Sequence, residues 1–103
     1  MSQLAVFGRT AAGETVHRIV LKRDSLRAEI ITLGAAVRDL RLAGHAAPLV
    51  LGLNSVAEYE AHGLYFGAIV GRVANRIAGA RAHILNHPYA LTPNDYGNIL
   101  HGG

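Results

Sequence analysis

Apolar and polar positions alternate along this chain in short runs, and glycine, asparagine or proline separates one run from the next. Gln3–Gly8 (QLAVFG) is a short apolar segment closed by turn residues over Thr10–Glu14 (TAAGE). Thr15–Lys22 (TVHRIVLK) is rich in β-branched residues and bounded by turn signals, which predicts a strand. Asp24 and Ser25 punctuate it, and Arg27–Leu33 (RAEIITL) predicts the next strand, broken at Gly34. Ala36–Leu42 (AVRDLRL) fits either period, but Gly34 and Gly44 bracket it too tightly for a helix of ordinary length, so it reads as a strand. A loop at His45–Pro48 precedes Leu49–Leu51, which predicts a short buried strand.

Asn54–His62 (NSVAEYEAH) opens on an asparagine suited to cap a helix, and Glu58 and Tyr59 fit one or two turns. Tyr65–Val70 (YFGAIV) is aromatic and β-branched, and so predicts a strand. Gly71–Ile77 (GRVANRI) is apolar and basic by turns. A turn around Gly79, a strand at Arg81–Leu85, a turn at Asn86–Pro88 and a short strand at Tyr89–Thr92 follow. Pro93–Asn98 (PNDYGN) is a turn-rich loop, and nothing in Asn98–Gly103 reads as a closing element. Strands spaced eight to twelve residues apart with turn residues between them predict an all-β sandwich or barrel. The frequency of alanine works against that reading, because alanine is a poor strand former.

Composition narrows the class. At 103 residues the chain has room for one domain at most. Half the residues are apolar and 17% are charged, which is globular and excludes a disordered tail or a low-complexity segment. No cysteine is present, so neither a disulfide framework nor a thiolate zinc site is expected. Met1–Thr10 lacks the ordered basic and apolar regions of a secretory signal. The longest uncharged stretches, Ala46–Asn54 and Gly63–Gly71, fall far short of the ~18 residues that span a membrane. The expectation is a soluble cytoplasmic protein with no membrane partner. A nucleic-acid partner is not expected either. The net charge is only +3, and beyond residue 60 three arginines face one acid, Asp95. No phosphate-cradling glycine loop occurs.

Three groups of residues could carry chemistry. In Gly71–Arg76 (GRVANR), a strand would place Arg72 and Arg76 on one face with Ala74 between them, and Asn75 on the other. Arginine offers several planar donors to hydroxyls, carboxylates or phosphates. On pattern alone, two solvated arginines on an exposed face are the commoner case. In Leu100–Gly103 (LHGG), two glycines leave room for backbone to approach a ligand beside His101. Histidine suits proton transfer near neutral pH, although a lone histidine is more often a plain surface residue. His83 and His87 are four apart, but they flank Asn86 in a strand-turn context where their rings would not converge, so no metal site is expected.

Taken in order, Tyr65–Ile77 (YFGAIVGRVANRI), Asn94–Asn98 (NDYGN) and Leu100–Gly103 (LHGG) are similar to the N-terminal third of the aldose 1-epimerases, the galactose mutarotases. Ala5–Gly8 (AVFG), Ala28–Gly34 (AEIITLG) and Val50–Tyr59 (VLGLNSVAEY) fit the same order and spacing. The resemblance implies the N-terminal part of a large antiparallel β-sandwich that binds an aldohexose such as galactose or glucose in a groove. In that chemistry a carboxylate takes the proton of the anomeric hydroxyl and a histidine gives one to the ring oxygen. The C1–C2 bond rotates and the ring closes on its other face, with no cofactor. Asn75 and Arg76 match the family's Asn-Arg pair, whose arginine holds sugar hydroxyls. His101 matches the motif histidine that lines the pocket and polarises the ring oxygen. Arg72 belongs to the motif without a ligand role that the resemblance assigns.

The family's domain is several times longer. Its principal acid (a second histidine), a ligand-binding aspartate and its general-base glutamate lie in the part beyond the match. Glu14, Glu29, Glu58 and Glu60 stand in the wrong segments to replace them. Residues 1–103 therefore read as the N-terminal portion of one epimerase domain, inactive alone. The alternatives are a non-catalytic carbohydrate-binding remnant, or one chain of a split enzyme completed by a C-terminal partner.

Overall fold

The β-branched runs near the N-terminus pair with one another in sequence order, as hairpins of adjacent strands should. A computed structural model describes residues 2–103, which divide into two units, Met1–Ile69 and Val70–Gly103. In the first unit, β1 (Ser2–Arg9), β2 (Thr15–Arg23), β3 (Leu26–Ile31) and β4 (Val37–Leu42) form an antiparallel sheet in that order. The Thr10–Glu14 turn is closed by Thr10 N–H to the Glu14 carbonyl at 2.9 Å and Gly13 N–H to the Thr10 carbonyl at 2.8 Å. Asp24 and Ser25 join β2 to β3, where Arg23 lies opposite Leu26.

Register decides what each face carries. Val16, Ile31, Ala36 and Val56 form a buried cluster, with Phe7, Leu33 and Tyr59 packed against it. Glu29, two residues before Ile31 and so on the same face, is only 3% exposed. The opposite face brings Leu4 against Ile19, and Leu26 against Leu42, and it leaves Leu4, Val6, Leu21, Leu26 and Leu42 exposed.

Helix α1 (Val56–His62) buries Val56. Its cap is Ser55 rather than Asn54. The Ser55 side chain accepts the Glu58 N–H while the Glu58 carboxylate accepts the N–H groups of Asn54 and Ser55, a capping box.

Two expected strands are absent. Leu49–Leu51 is not a strand, and Leu51 is exposed. Side chains hold the stretch that follows instead. Arg38 Nε donates to the Leu53 carbonyl at 3.0 Å, and Leu53 N–H donates to the Tyr59 hydroxyl at 3.2 Å. Tyr65–Val70 folds into turns, with Phe66 N–H on the Gly63 carbonyl and Ala68 N–H on the Tyr65 carbonyl. Gly67 has φ +62°, and a Cβ there would lie 2.0 Å from the Val37 carbonyl oxygen, so close approach to β4 replaces ladder pairing.

The second unit holds shorter strands. β5 (Arg76–Ile77) pairs with β8 (Ile99–Leu100), and β6 (Arg81–Ile84) pairs with β7 (His87–Ala90), all antiparallel. A 3₁₀ turn over Ala78–Ala80 carries Gly79 at φ +64°. The β6–β7 turn is Leu85–Asn86, both at positive φ, one position earlier than Asn86–Pro88. Pro88 falls inside β7, which a two-stranded sheet tolerates because an outer edge needs no N–H there. Ala80, Ile99 and Leu100 are buried. The segment expected to lack a closing element thus supplies a strand. Among the described residues no helix is long and apolar enough to cross a membrane.

Candidate functional site

The Asn94–Asn98 loop is the anchor of the second unit. Asn94 and Asp95 donate their backbone N–H groups to the Asn98 carbonyl, each at 3.0 Å, and Asn98 N–H returns to the Asp95 carbonyl at 2.9 Å. The Asn94 side chain then imitates a neighbouring strand. Its Oδ1 accepts the Leu100 N–H at 2.7 Å and its Nδ2 donates to the Leu100 carbonyl at 3.0 Å. Asn98 Oδ1 accepts the Gly79 N–H at 3.0 Å. The loop therefore grips β8 from one side while β5 pairs it from the other.

Arg76 stands opposite Leu100 in the β5–β8 ladder, so the residues one step outward, Asn75 and His101, face each other. Both have positive φ, +64° and +55°, and bend the chain there. Two hydrogen bonds join them: His101 N–H to the Asn75 carbonyl at 3.0 Å, and Asn75 N–H to His101 Nδ1 at 2.9 Å. The second fixes the imidazole. With its Nδ1 lone pair committed, the neutral ring carries its hydrogen on Nε2, which becomes the donor. Asn75 Oδ1 accepts the Arg76 N–H at 2.9 Å. Arg76 Nε donates to Asp95 Oδ2 at 2.6 Å, with the arginine side chain 55% exposed and the aspartate 16%.

The structure thus brings Asn75 and Arg76 together with His101, which stands 26 residues after Asn75. It corrects the alternating-face reading of Arg72 and Arg76, because only Arg76 lies in a strand and Asn75 bends the chain before it. Arg72 instead lines a cavity of about 380 Å³ with Gly71, Val73, Ile77, Ile99 and Gly102, and none of the three site residues lines that cavity. His83 and His87 sit on β6 and β7, where His87 meets the Tyr89 ring edge-on at 4.8 Å. Among the described residues no group of three potential metal ligands occurs. In the first unit Glu29 pairs with arginines, Glu58 caps α1, and Glu60 accepts the Ala11 N–H.

Sequence reasoning missed Asp95, Asn94 and Asn98 as working residues. The available signal was the isolation of Asp95, the only acid beyond residue 60. Gly102 explains one glycine of the LHGG run. It has φ +88°, and a Cβ would fall 1.5 Å from the Gly71 carbonyl oxygen. Gly102→Ala is expected to cost about 1–3 kcal/mol through backbone strain and to loosen the turn that follows β8. Faster amide exchange at Leu100 and His101 is the expected reading, and exchange at the wild-type rate would contradict it.

Comparison with known proteins places the chain. The family model for aldose 1-epimerase matches residues 17–103. Galactose mutarotase of Sus scrofa is 41% identical over 103 residues, covering 96% of this chain and 30% of that protein. Galactose mutarotase of Homo sapiens is 40% identical over the same length and shares. The crystal structure of galactose 1-epimerase from Lactobacillus acidophilus NCFM superimposes with a TM-score of 0.72 at 26% identity, over 100% of this chain and 30% of that one. The chain spans about 30% of the length of the curated relatives it matches.

Proposed function

The chain belongs to the aldose 1-epimerase family, and from that premise we propose that it supplies the sugar-holding segment of a mutarotase site acting on aldohexoses. In this reading residues 1–103 are the N-terminal portion of one epimerase domain, working in the cytoplasm. Arg76 holds sugar hydroxyls through its Nη groups, which do not titrate. His101 presents Nε2–H towards the ring oxygen as negative charge develops there. Asn75 belongs to the same sugar-facing surface, and its backbone fixes the imidazole. The observation that carries this reading is the bond from Asn75 N–H to His101 Nδ1 at 2.9 Å, which makes the distal nitrogen the donor.

Ring opening also needs a carboxylate to remove the anomeric proton, and the resemblance puts that base and the principal acid in the longer part of the domain. The chain alone is therefore expected to show no more than trace mutarotation. Polarimetry on fresh α-galactose, with free imidazole at equal concentration as reference, reads this. A hybrid in which these 103 residues replace the matching segment of the Sus scrofa protein is expected to mutarotate at enzymatic rates. A folded hybrid that binds galactose without turnover would favour a carbohydrate-binding remnant. A folded hybrid that does neither would overturn the proposal, and enzymatic turnover by the chain alone would show that the missing base and acid lie within it.

A further inference from the structure

We propose that Asp95 is a positioning residue that aims Arg76 at the sugar, an inference that rests on the sugar-holding role given to Arg76 above. A half-exposed arginine carries about 2 kcal/mol of rotamer entropy, and a site that depends on its two Nη groups gains by having that freedom removed beforehand. Asp95 is built to remove it. Its carboxylate takes the Nε–H of Arg76 at 2.6 Å and is itself only 16% exposed. Its backbone is held at both ends, with N–H on the Asn98 carbonyl and the carbonyl on the Asn98 N–H. The anchor is thus a fixed loop rather than a second mobile side chain.

The edge of the guanidinium that is engaged matters. A carboxylate bound across both Nη groups would occupy the fork that suits a pair of hydroxyl oxygens. Engagement through Nε turns that fork away from Asp95, and the described residues give the Nη groups no other partner. Two vicinal hydroxyls of a pyranose match the spacing of such a fork. Asp95 touches no substrate in this account and acts only through Arg76. Its side chain makes no other hydrogen bond among the described residues, so replacing it leaves the loop's own backbone bonds in place.

The test uses the isotopically labelled 103-residue chain in solution. The Arg76 Nε–H resonance is expected to be resolved and slow to exchange with water, and to join the fast-exchanging pool in Asp95→Ala. Asp95→Asn, whose amide oxygen still accepts, is expected to restore it in part. Amides of Ile99 and Leu100 report whether β8 persists and are expected to hold. Galactose titration is expected to give an affinity lower by about 3–10-fold in Asp95→Ala, the range of a partly exposed ion pair and its ordering cost. An Arg76 Nε–H unaffected by Asp95→Ala overturns the positioning role, whatever the sugar does. A wild-type chain with a protected Nε–H that shows no response to galactose, while the hybrid enzyme does respond through Arg76, overturns only the claim that the aimed fork binds sugar unaided. No response to galactose in either protein overturns the underlying sugar reading.

Discussion

Glu29→Gln is expected to destabilise the β1–β4 sheet by about 1–3 kcal/mol, the worth of charge-assisted hydrogen bonds lost to arginines that stay partly exposed. Glu29 is 3% exposed on the core face of β3. Arg27 and Arg38 both hydrogen-bond its carboxylate, and Arg18 Nη1 stands 3.6 Å away. Arg38 also lies over the Phe7 ring at 5.2 Å, and Arg18 Nε is buried with no partner. Among the described residues Asp39, which engages Arg27 and Arg41, is the one other acid that pairs with these arginines. A neutral amide would keep the shape and lose the charge. Against the roughly 5–15 kcal/mol that stabilises whole domains, such a loss is large.

The same network has a pH signature. Burial pushes the Glu29 carboxyl up, but the hydrogen bonds and charges of Arg27 and Arg38 outweigh it and hold the group below its usual 4.5. A carboxyl lowered in the folded state contributes stability in full above its unfolded value and loses it as pH falls through the folded one. Denaturant melts of the wild type should therefore weaken below about pH 4.5, and those of Glu29→Gln should weaken less. Equal midpoints for the two proteins at pH 7 would contradict the account.

His101→Ala in the hybrid enzyme is expected to lower kcat by about 10²–10³-fold, the usual worth of one fixed donor aimed at an oxygen that gains charge. The effect on KM should be smaller, since the Nε2–H matters most when the ring oxygen gains charge. Arg76→Ala should behave differently, weakening binding and turnover together, because a fixed arginine acts in both ground and transition states. The His101 variant also changes the joint with Asn75. Alanine keeps the His101 N–H bond to the Asn75 carbonyl and loses the one from Asn75 N–H to the imidazole, so the amides of Ile99 and Leu100 are measured beside the kinetics to show that β8 persists.

Much of the sheet was legible because its signals were local. Thr15–Lys22 and Arg27–Leu33 combine β-branched residues with turn residues at both ends, and they became β2 and β3. Leu49–Leu51 and Tyr65–Val70 carry similar apolar residues yet are not strands. Distant groups engage both segments or their flanks: Leu49 N–H bonds the Leu40 carbonyl, the Arg38 and Tyr59 side chains hold Leu53 just beyond, and the β4 backbone lies against Gly67, and no local window contains those. Ser55 displaced Asn54 as the cap because only Ser55 stands three residues before Glu58, the spacing of a capping box.

The site was legible by residue type and by resemblance, not by geometry. Nothing in GRVANR says that Asn75 turns to positive φ, and nothing in LHGG says that His101 reaches back 26 residues to its N–H. By pattern alone Arg76 reads as a solvated arginine, whereas in the fold its Nε–H is held by Asp95. That pairing depends on the Asn94–Asn98 loop, whose bonds run through asparagine side chains to β8 and to Gly79.

The central claim is that Arg76 and His101 form the sugar-facing part of an aldose 1-epimerase site. Polarimetry of galactose interconversion by the hybrid enzyme tests it most directly, with Arg76→Ala and His101→Ala measured beside the unaltered hybrid. The account predicts enzymatic turnover in the unaltered hybrid, a selective loss of kcat in His101→Ala, and a joint loss of binding and turnover in Arg76→Ala. Unchanged rates in both folded variants would contradict it.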